Sequence, residues 1–212
     1  MTGPSLVLLG GAAVVAVIDW VALNRRPNRV ELVAKPLTIV LLVAAAMALD
    51  PNDDVQRAWF VAALACSLAG DVFLLPQVDR FVPGLASFLV AHLAYVAGFV
   101  AGGVVAAAMP VAAVLVLVVA IPLGQRLVAG ARASGQAAVV VPVIAYVAVI
   151  SLMVVAALSS GNRVAAVGAL AFMVSDALIG WTRFVRGLRG SATAIMVTYH
   201  AGQALLVVSL VA

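Results

Sequence analysis

The sequence predicts an all-α, polytopic integral membrane protein, a single transmembrane domain of eight transmembrane helices. Three observations carry this. Hydrophobic residues make up 66% of the chain and charged ones 9%, with a mean hydropathy of +1.25, far from the balance of soluble domains. The apolar residues fall into runs of about 20, the length a helix needs to cross a bilayer, and 212 residues hold about eight of them with little left over. The basic residues gather in alternate gaps between the runs, as the positive-inside rule requires.

In order, the segments are about 5–23, 32–49, 56–75, 82–102, 104–123, 137–158, 163–182 and 191–211. The first has no basic leader and no cleavage site, so it reads as a span and not as a signal peptide. Asp19 and Trp20 near its end read as an interface anchor, although the depth of Asp19 would also let it join a polar cavity. Lys35-Pro36 opens the second segment, and Val141-Pro142 opens the sixth. The third carries Cys66, a lone thiol with no internal disulfide partner, and then Ser67-Leu68-Ala69-Gly70-Asp71. Only Ala101-Gly102-Gly103 separates the fourth from the fifth, whose first turns contain Pro110. The seventh holds Val174-Ser175-Asp176 and the eighth Tyr199-His200.

Arg25, Arg26, Arg29, Arg80, Arg126, Arg132, Arg183, Arg186 and Arg189 fall in the connections after the first, third, fifth and seventh segments. The opposite side carries Arg57 and Arg163, with Asp50, Asp53 and Asp54 beside the former. Both termini are therefore expected outside and the basic loops in the cytoplasm. Asp71 and Asp176 then lie roughly 7 to 10 Å from the inner ends of two parallel helices, and His92 and His200 roughly 14 Å in on the helices that follow. Lys35-Pro36 and Val141-Pro142 are 106 positions apart, the two aspartates 105 and the two histidines 108. These offsets suggest a four-plus-four parallel repeat with a site between the halves.

An acid inside a membrane helix is costly and usually has a task. Two in one cavity can divide the roles of general acid and base, so Asp71 and Asp176 are the candidate catalytic pair. The alternative is that each binds a nearby arginine or backbone group. Lys35 either neutralises one aspartate or binds a phosphate, or else snorkels beside Glu31. His92 with Tyr95, and His200 with Gln203, share helix faces at i, i+3 spacing. They line a polar cavity or form interhelical hydrogen bonds. Tyr146, one turn beyond Pro142, is a further donor to that space. Arg183, Arg186 and Arg189 combine an orientation signal with affinity for anionic head groups. No metal-ligand spacing, phosphate loop or nucleophile motif stands out, so neither metal nor cofactor is expected. The net charge of +4 is explained by the loop arginines, and nucleic acid is excluded as a partner.

Lys35-Pro36-Leu37, Ser67-x-x-Gly70-Asp71-x-x-Leu74, Phe88-x-x-Ala91-His92-x-x-Tyr95, Ser175-Asp176-x-x-Ile179 and Tyr199-His200-x-x-Gln203, in this order, resemble the YhhN-like lysoplasmalogenases. The likeness runs over nearly the whole chain. It implies a hydrolase that opens the vinyl-ether bond of a lysoplasmalogen, or a related lysolipid, to a fatty aldehyde and a glycerophospho-base. Asp71 and Asp176 would supply acid and base. Lys35, His92, Tyr95, Tyr146, Tyr199, His200 and Gln203 would bind the lysophospholipid among the surrounding membrane lipids. The Ala-, Val- and Arg-rich composition with one lysine points to a GC-rich bacterial gene, and so to the inner (plasma) membrane. The rival reading is a proton-coupled transporter or lipid scramblase using the same intramembrane acids.

Overall fold

A computed structural model describes residues 1–23 and 29–212. Arg25 and Arg26 lie outside the described residues. Among those described there are eight α-helices and no strand: α1 Gly3–Ala22, α2 Glu31–Ala48, α3 Asp54–Phe73, α4 Phe81–Gly102, α5 Met109–Ala133, α6 Val140–Ser159, α7 Arg163–Phe184 and α8 Ser191–Val208. Local chemistry sets several of the ends. Thr2 and Ser5 form a reciprocal cap on α1, Asp53 accepts from the Gln56 N–H at 2.6 Å to start α3, and Asn162 accepts from the Ala165 N–H at 3.0 Å to start α7. Such side-chain oxygens satisfy donors that the first helical turn leaves open. Gly103, at φ +100, ends α4 with a backbone that a side chain would resist. The break expected between the fourth and fifth segments is therefore present.

Seven of the eight helices are long and apolar enough to cross a membrane, and the protein is a polytopic helical membrane protein. α3 is more polar than the other seven, because it carries Asp54, Gln56 and Arg57 in its first turn and Asp71 in its last. The fifth segment differs from expectation. It runs to Ala133 and not to 123, so Arg126 and Arg132 stand on α5 and not in a connection. The helix continues because its buried face does: Leu127 and Ala131 pack with Val140, Val143 and Phe184, and the Arg126 guanidinium sits 5.9 Å from the Trp181 ring centroid. Arg183 likewise occupies the last turn of α7.

Successive helices pair as α1 with α2, α3 with α4, α5 with α6, and α7 with α8; α2 also packs on α3 and α8, and α4 on α6. At one end of the bundle Leu23, Glu31, Leu74, Asp79, Arg183 and Ala192 converge. The other end is tied by Asn52 N–H to the Leu210 carbonyl at 2.9 Å and Val105 N–H to the Ser159 carbonyl at 2.7 Å, with Thr2 Oγ1 donating to the Ala48 carbonyl at 2.7 Å. Phe60, Tyr95, Phe99, Phe172 and Leu206 fill the core, whereas Val7, Val111, Val114, Val118 and Val141 are exposed. An exterior this apolar is solvated by lipid, and association between helices then rests on close packing rather than on the hydrophobic effect.

α7 and α8 pack backbone against backbone. A methyl group added at Gly202 would lie 2.9 Å from the Gly168 carbonyl oxygen and 2.9 Å from the Phe172 nitrogen. Backbone cannot yield as a side chain can. Gly202→Val is expected to lower stability by about 1–3 kcal/mol, the range for overpacked cores, whereas Gly10→Ala, with nothing within 4 Å, leaves it unchanged. Thermal unfolding of both variants in detergent checks this.

Candidate functional site

α3 delivers Asp71 to the bundle interior in its last turn. Lys35, from the first turns of α2, places its Nζ 3.4 Å from Asp71 Oδ1. Tyr199 on α8 donates its hydroxyl to Asp71 Oδ2 at 2.7 Å. Asp71 is 1% and Lys35 6% exposed, so opposite charges removed from water are held against one another, and neither is left alone. Gly70 makes room beside the acid for the Phe88 ring of α4, which a methyl group at that position would meet at 2.6 Å.

Asp176, on α7, has a different set of neighbours. Tyr146 on α6 donates to its Oδ2 at 2.6 Å, and His92 Nε2 on α4 lies 3.5 Å from the same oxygen. The His92 Nδ1 is 2.6 Å from the Phe88 carbonyl oxygen. A carbonyl only accepts, so Nδ1 is the donor, and in a neutral ring Nε2 turns a lone pair toward Asp176. Asp71 therefore faces a cation, and Asp176 faces a phenol and an imidazole. Each acid takes one partner from the helix before it, α2 or α6, and one from across the bundle, α8 or α4.

Phe88 and Phe172 stand between the clusters. The Phe172 ring centroid is 4.7 Å from that of His92 and 5.3 Å from that of Tyr199. Tyr95 donates to Gln203 Oε1 at 2.5 Å, and Trp20 Nε1 donates to His200 Nδ1 at 3.1 Å. These four residues tie α4 to α8 and α1 to α8. Asp19, expected as an interface anchor or as a group turned toward the cavity, is wholly buried, and neither of its carboxylate oxygens has a hydrogen-bond partner among the described residues. The face of α1 that carries it packs toward α2 and α8, a tertiary choice that local sequence does not specify.

The sequence anticipates one polar cavity, and the structure has two polar clusters beside a largely apolar void. That void, about 60 Å³, is lined by Asp176 and Tyr146 together with Phe88, Leu123, Val143 and Met173. Asp71, His92, Tyr95, Tyr199, His200 and Gln203 do not line it. A second space of about 310 Å³ is lined by Glu31, Lys35, Asp79, Thr182 and Arg183. The two share Leu74, Phe81 and Ile179 as a common wall. On its other side the apolar void shares Val143 and Val147 with a groove of about 810 Å³ between α5 and α6. Among the described residues no three His, Cys, Asp or Glu side chains are grouped to hold a metal ion.

The profile of the YhhN family matches residues 30–210, a stretch containing every residue of both acid clusters. The chain belongs to the YhhN family. Human lysoplasmalogenase TMEM86B is 34% identical over 147 residues, covering 69% of this chain and 61% of the relative. A lysoplasmalogenase of Mycobacterium bovis is 33% identical over 171 residues, covering 79% and 65%. Mouse lysoplasmalogenase TMEM86B is 30% identical over 191 residues, covering 90% and 79%. The chain thus spans less than two thirds of the human and M. bovis relatives. No solved structure matches it.

Sequence reasoning did not find Phe172, whose ring touches both clusters, although its position four residues before Asp176 puts it on the same helix face. The Lys35 and Asp71 pair makes a stability prediction. Lys35→Met leaves Asp71 buried without its cation and is expected to cost about 3–5 kcal/mol. Adding Asp71→Asn to that variant should recover a large part of the loss. A double-mutant cycle followed by thermal unfolding in detergent measures the coupling.

Proposed function

We propose that this YhhN-family protein is a membrane-embedded hydrolase that opens the vinyl-ether bond of a lysoplasmalogen, or a related lysolipid, by aspartate acid–base catalysis. The observation that carries the reading is the position of Asp176. It lines an apolar void that shares wall residues with the α5/α6 groove on one side and with a charged vestibule on the other. A single-chain amphiphile has matching parts, with its tail along the α5/α6 groove, its reactive ether at the carboxyl group beside the void and its head in the vestibule. The lysoplasmalogenase names of the relatives point to the same chemistry.

In this mechanism Asp176 is the acid. Its proton passes to the β-carbon of the enol ether, forming a C–H bond and leaving an oxocarbenium ion at the α-carbon. Water attacks that carbon and gives its proton to the Asp176 carboxylate. The resulting hemiacetal breaks its bond to the glycerol oxygen, yielding a fatty aldehyde and the freed hydroxyl. One water is consumed and Asp176 regains its starting proton. His92 and Tyr146 orient the carboxyl group. Asp71, held by Lys35 and Tyr199, supplies fixed negative charge for the cation in a setting where water does not screen it. Tyr95, His200 and Gln203 hold the helices that carry these groups.

The same reading has all eight helices crossing the bacterial inner membrane, with both chain ends outside and the vestibule toward the cytoplasm. The basic residues Arg80, Arg183, Arg186 and Arg189 at the vestibule end support that orientation. The matched helix pairing and the parallel partners of Asp71 and Asp176 support a four-plus-four repeat.

Purified protein in detergent, given an alkenyl lysophospholipid, is expected to release aldehyde, and none from the saturated-ether analogue. Asp176→Asn should lower the rate by about 10²–10⁴-fold, the range for a general acid. Asp71→Asn should lower it by about 10²-fold or more, as loss of an electrostatic stabiliser does. Full activity in either folded variant overturns the mechanism. Proton-driven uptake into liposomes without lipid turnover would favour a transporter instead.

A further inference from the structure

We infer that the vestibule is a head-group site with two selectivity residues, Arg183 for a phosphodiester and Asp79 for the ammonium group beyond it; this deepens the lysolipid reading and rests on it. Among the described residues two bases and two acids line the space, Lys35 and Arg183 with Glu31 and Asp79. A zwitterion can meet both signs of the Arg183 and Asp79 pair, whereas a bare phosphate would bring only negative charge beside the Asp79 carboxylate.

Arg183 is already oriented. Its guanidinium carbon stands 4.8 Å from the centroid of the Phe81 ring. A stacked guanidinium keeps its N–H groups in plane and free to fork onto phosphate oxygens. Phe81 also lines the apolar void, so Arg183 stands on the polar side of the wall between that void and the vestibule, where a head group would begin. Lys35 lies deeper and is engaged by Asp71, so among the described residues that line the space Arg183 is the cation at the rim.

Asp79 faces Arg183 at 4.0 Å, beyond hydrogen-bond length. The two are close enough to organise one another without satisfying their hydrogen-bonding capacity. The turn before α4 holds Asp79 in position. Its own φ is +42, its N–H donates to the Leu75 carbonyl at 2.8 Å, and the next N–H, of Arg80, donates to the Phe73 carbonyl at 2.9 Å. A ligand with adjacent opposite charges can replace this loose pair with two closer contacts.

The test measures binding by native mass spectrometry in detergent, using three saturated-ether lipids with the same tail. One carries glycerophosphoethanolamine, one glycerol phosphate and one glycerol alone. The native protein is expected to prefer them in that order. Arg183→Gln should weaken both phosphorylated lipids about tenfold or more, the scale of a charge-assisted hydrogen bond, and leave the neutral lipid unchanged. Arg183→Lys should fall between the two. Asp79→Asn should weaken the ammonium lipid alone, by about threefold, as for an exposed ion pair. Equal loss of all three lipids in Arg183→Gln, or no loss, overturns the assignment. Because these lipids are not turned over, a failure of aldehyde release counts against the hydrolase reading and leaves this result to be judged separately.

Discussion

The arrangement depends on one constraint, that a charge carried into the interior of a membrane protein must find its partner there. Lys35 and Asp71 meet at 3.4 Å, and through Tyr199 they bind α2, α3 and α8 into one unit. Asp176, Tyr146 and His92 do the same for α7, α6 and α4. Lipid gives apolar helices little reason to prefer one another over the bilayer. Buried polar contacts therefore fix which helices are neighbours and at what height, while close backbone packing such as that of Gly168 on Gly202 fixes their separation.

The two clusters share a plan and differ in charge. Asp71 has an ammonium and a phenol, and Asp176 has a phenol and an imidazole whose Nε2 faces it. This asymmetry is what lets similar carboxylates serve unlike ends, one as fixed charge and one as a proton carrier, in the reaction proposed for this YhhN-family chain. The aromatic rings of Phe88 and Phe172 stand between them.

Much of this was legible in the sequence, and the reasons are physical. Asp71 and Asp176 stand out because a carboxylate in an apolar run is rare and expensive. The helices are visible for the same reason, since lipid demands long apolar stretches. What was hidden depends on rotation about a helix axis. Whether Asp19 faces lipid head groups or α2 and α8 is set by packing that hydropathy does not report. Likewise, the i, i+3 spacing of His92 and Tyr95 puts both on one face but does not reveal that one reaches Asp176 and the other Gln203. The end of α5 was missed because Arg126 and Arg132 look like loop residues until Trp181 and Phe184 are seen beside that turn.

The apolar void lies between two spaces of opposite character, a lipid-facing groove past Val143 and Val147 and a charged chamber past Leu74, Phe81 and Ile179. A bond broken at that junction would divide one amphiphile into an oily fragment and a water-soluble one. Each fragment would already be at the mouth of the phase that dissolves it. The two would then depart in different directions, and their separation by solubility would oppose the back reaction without any moving gate.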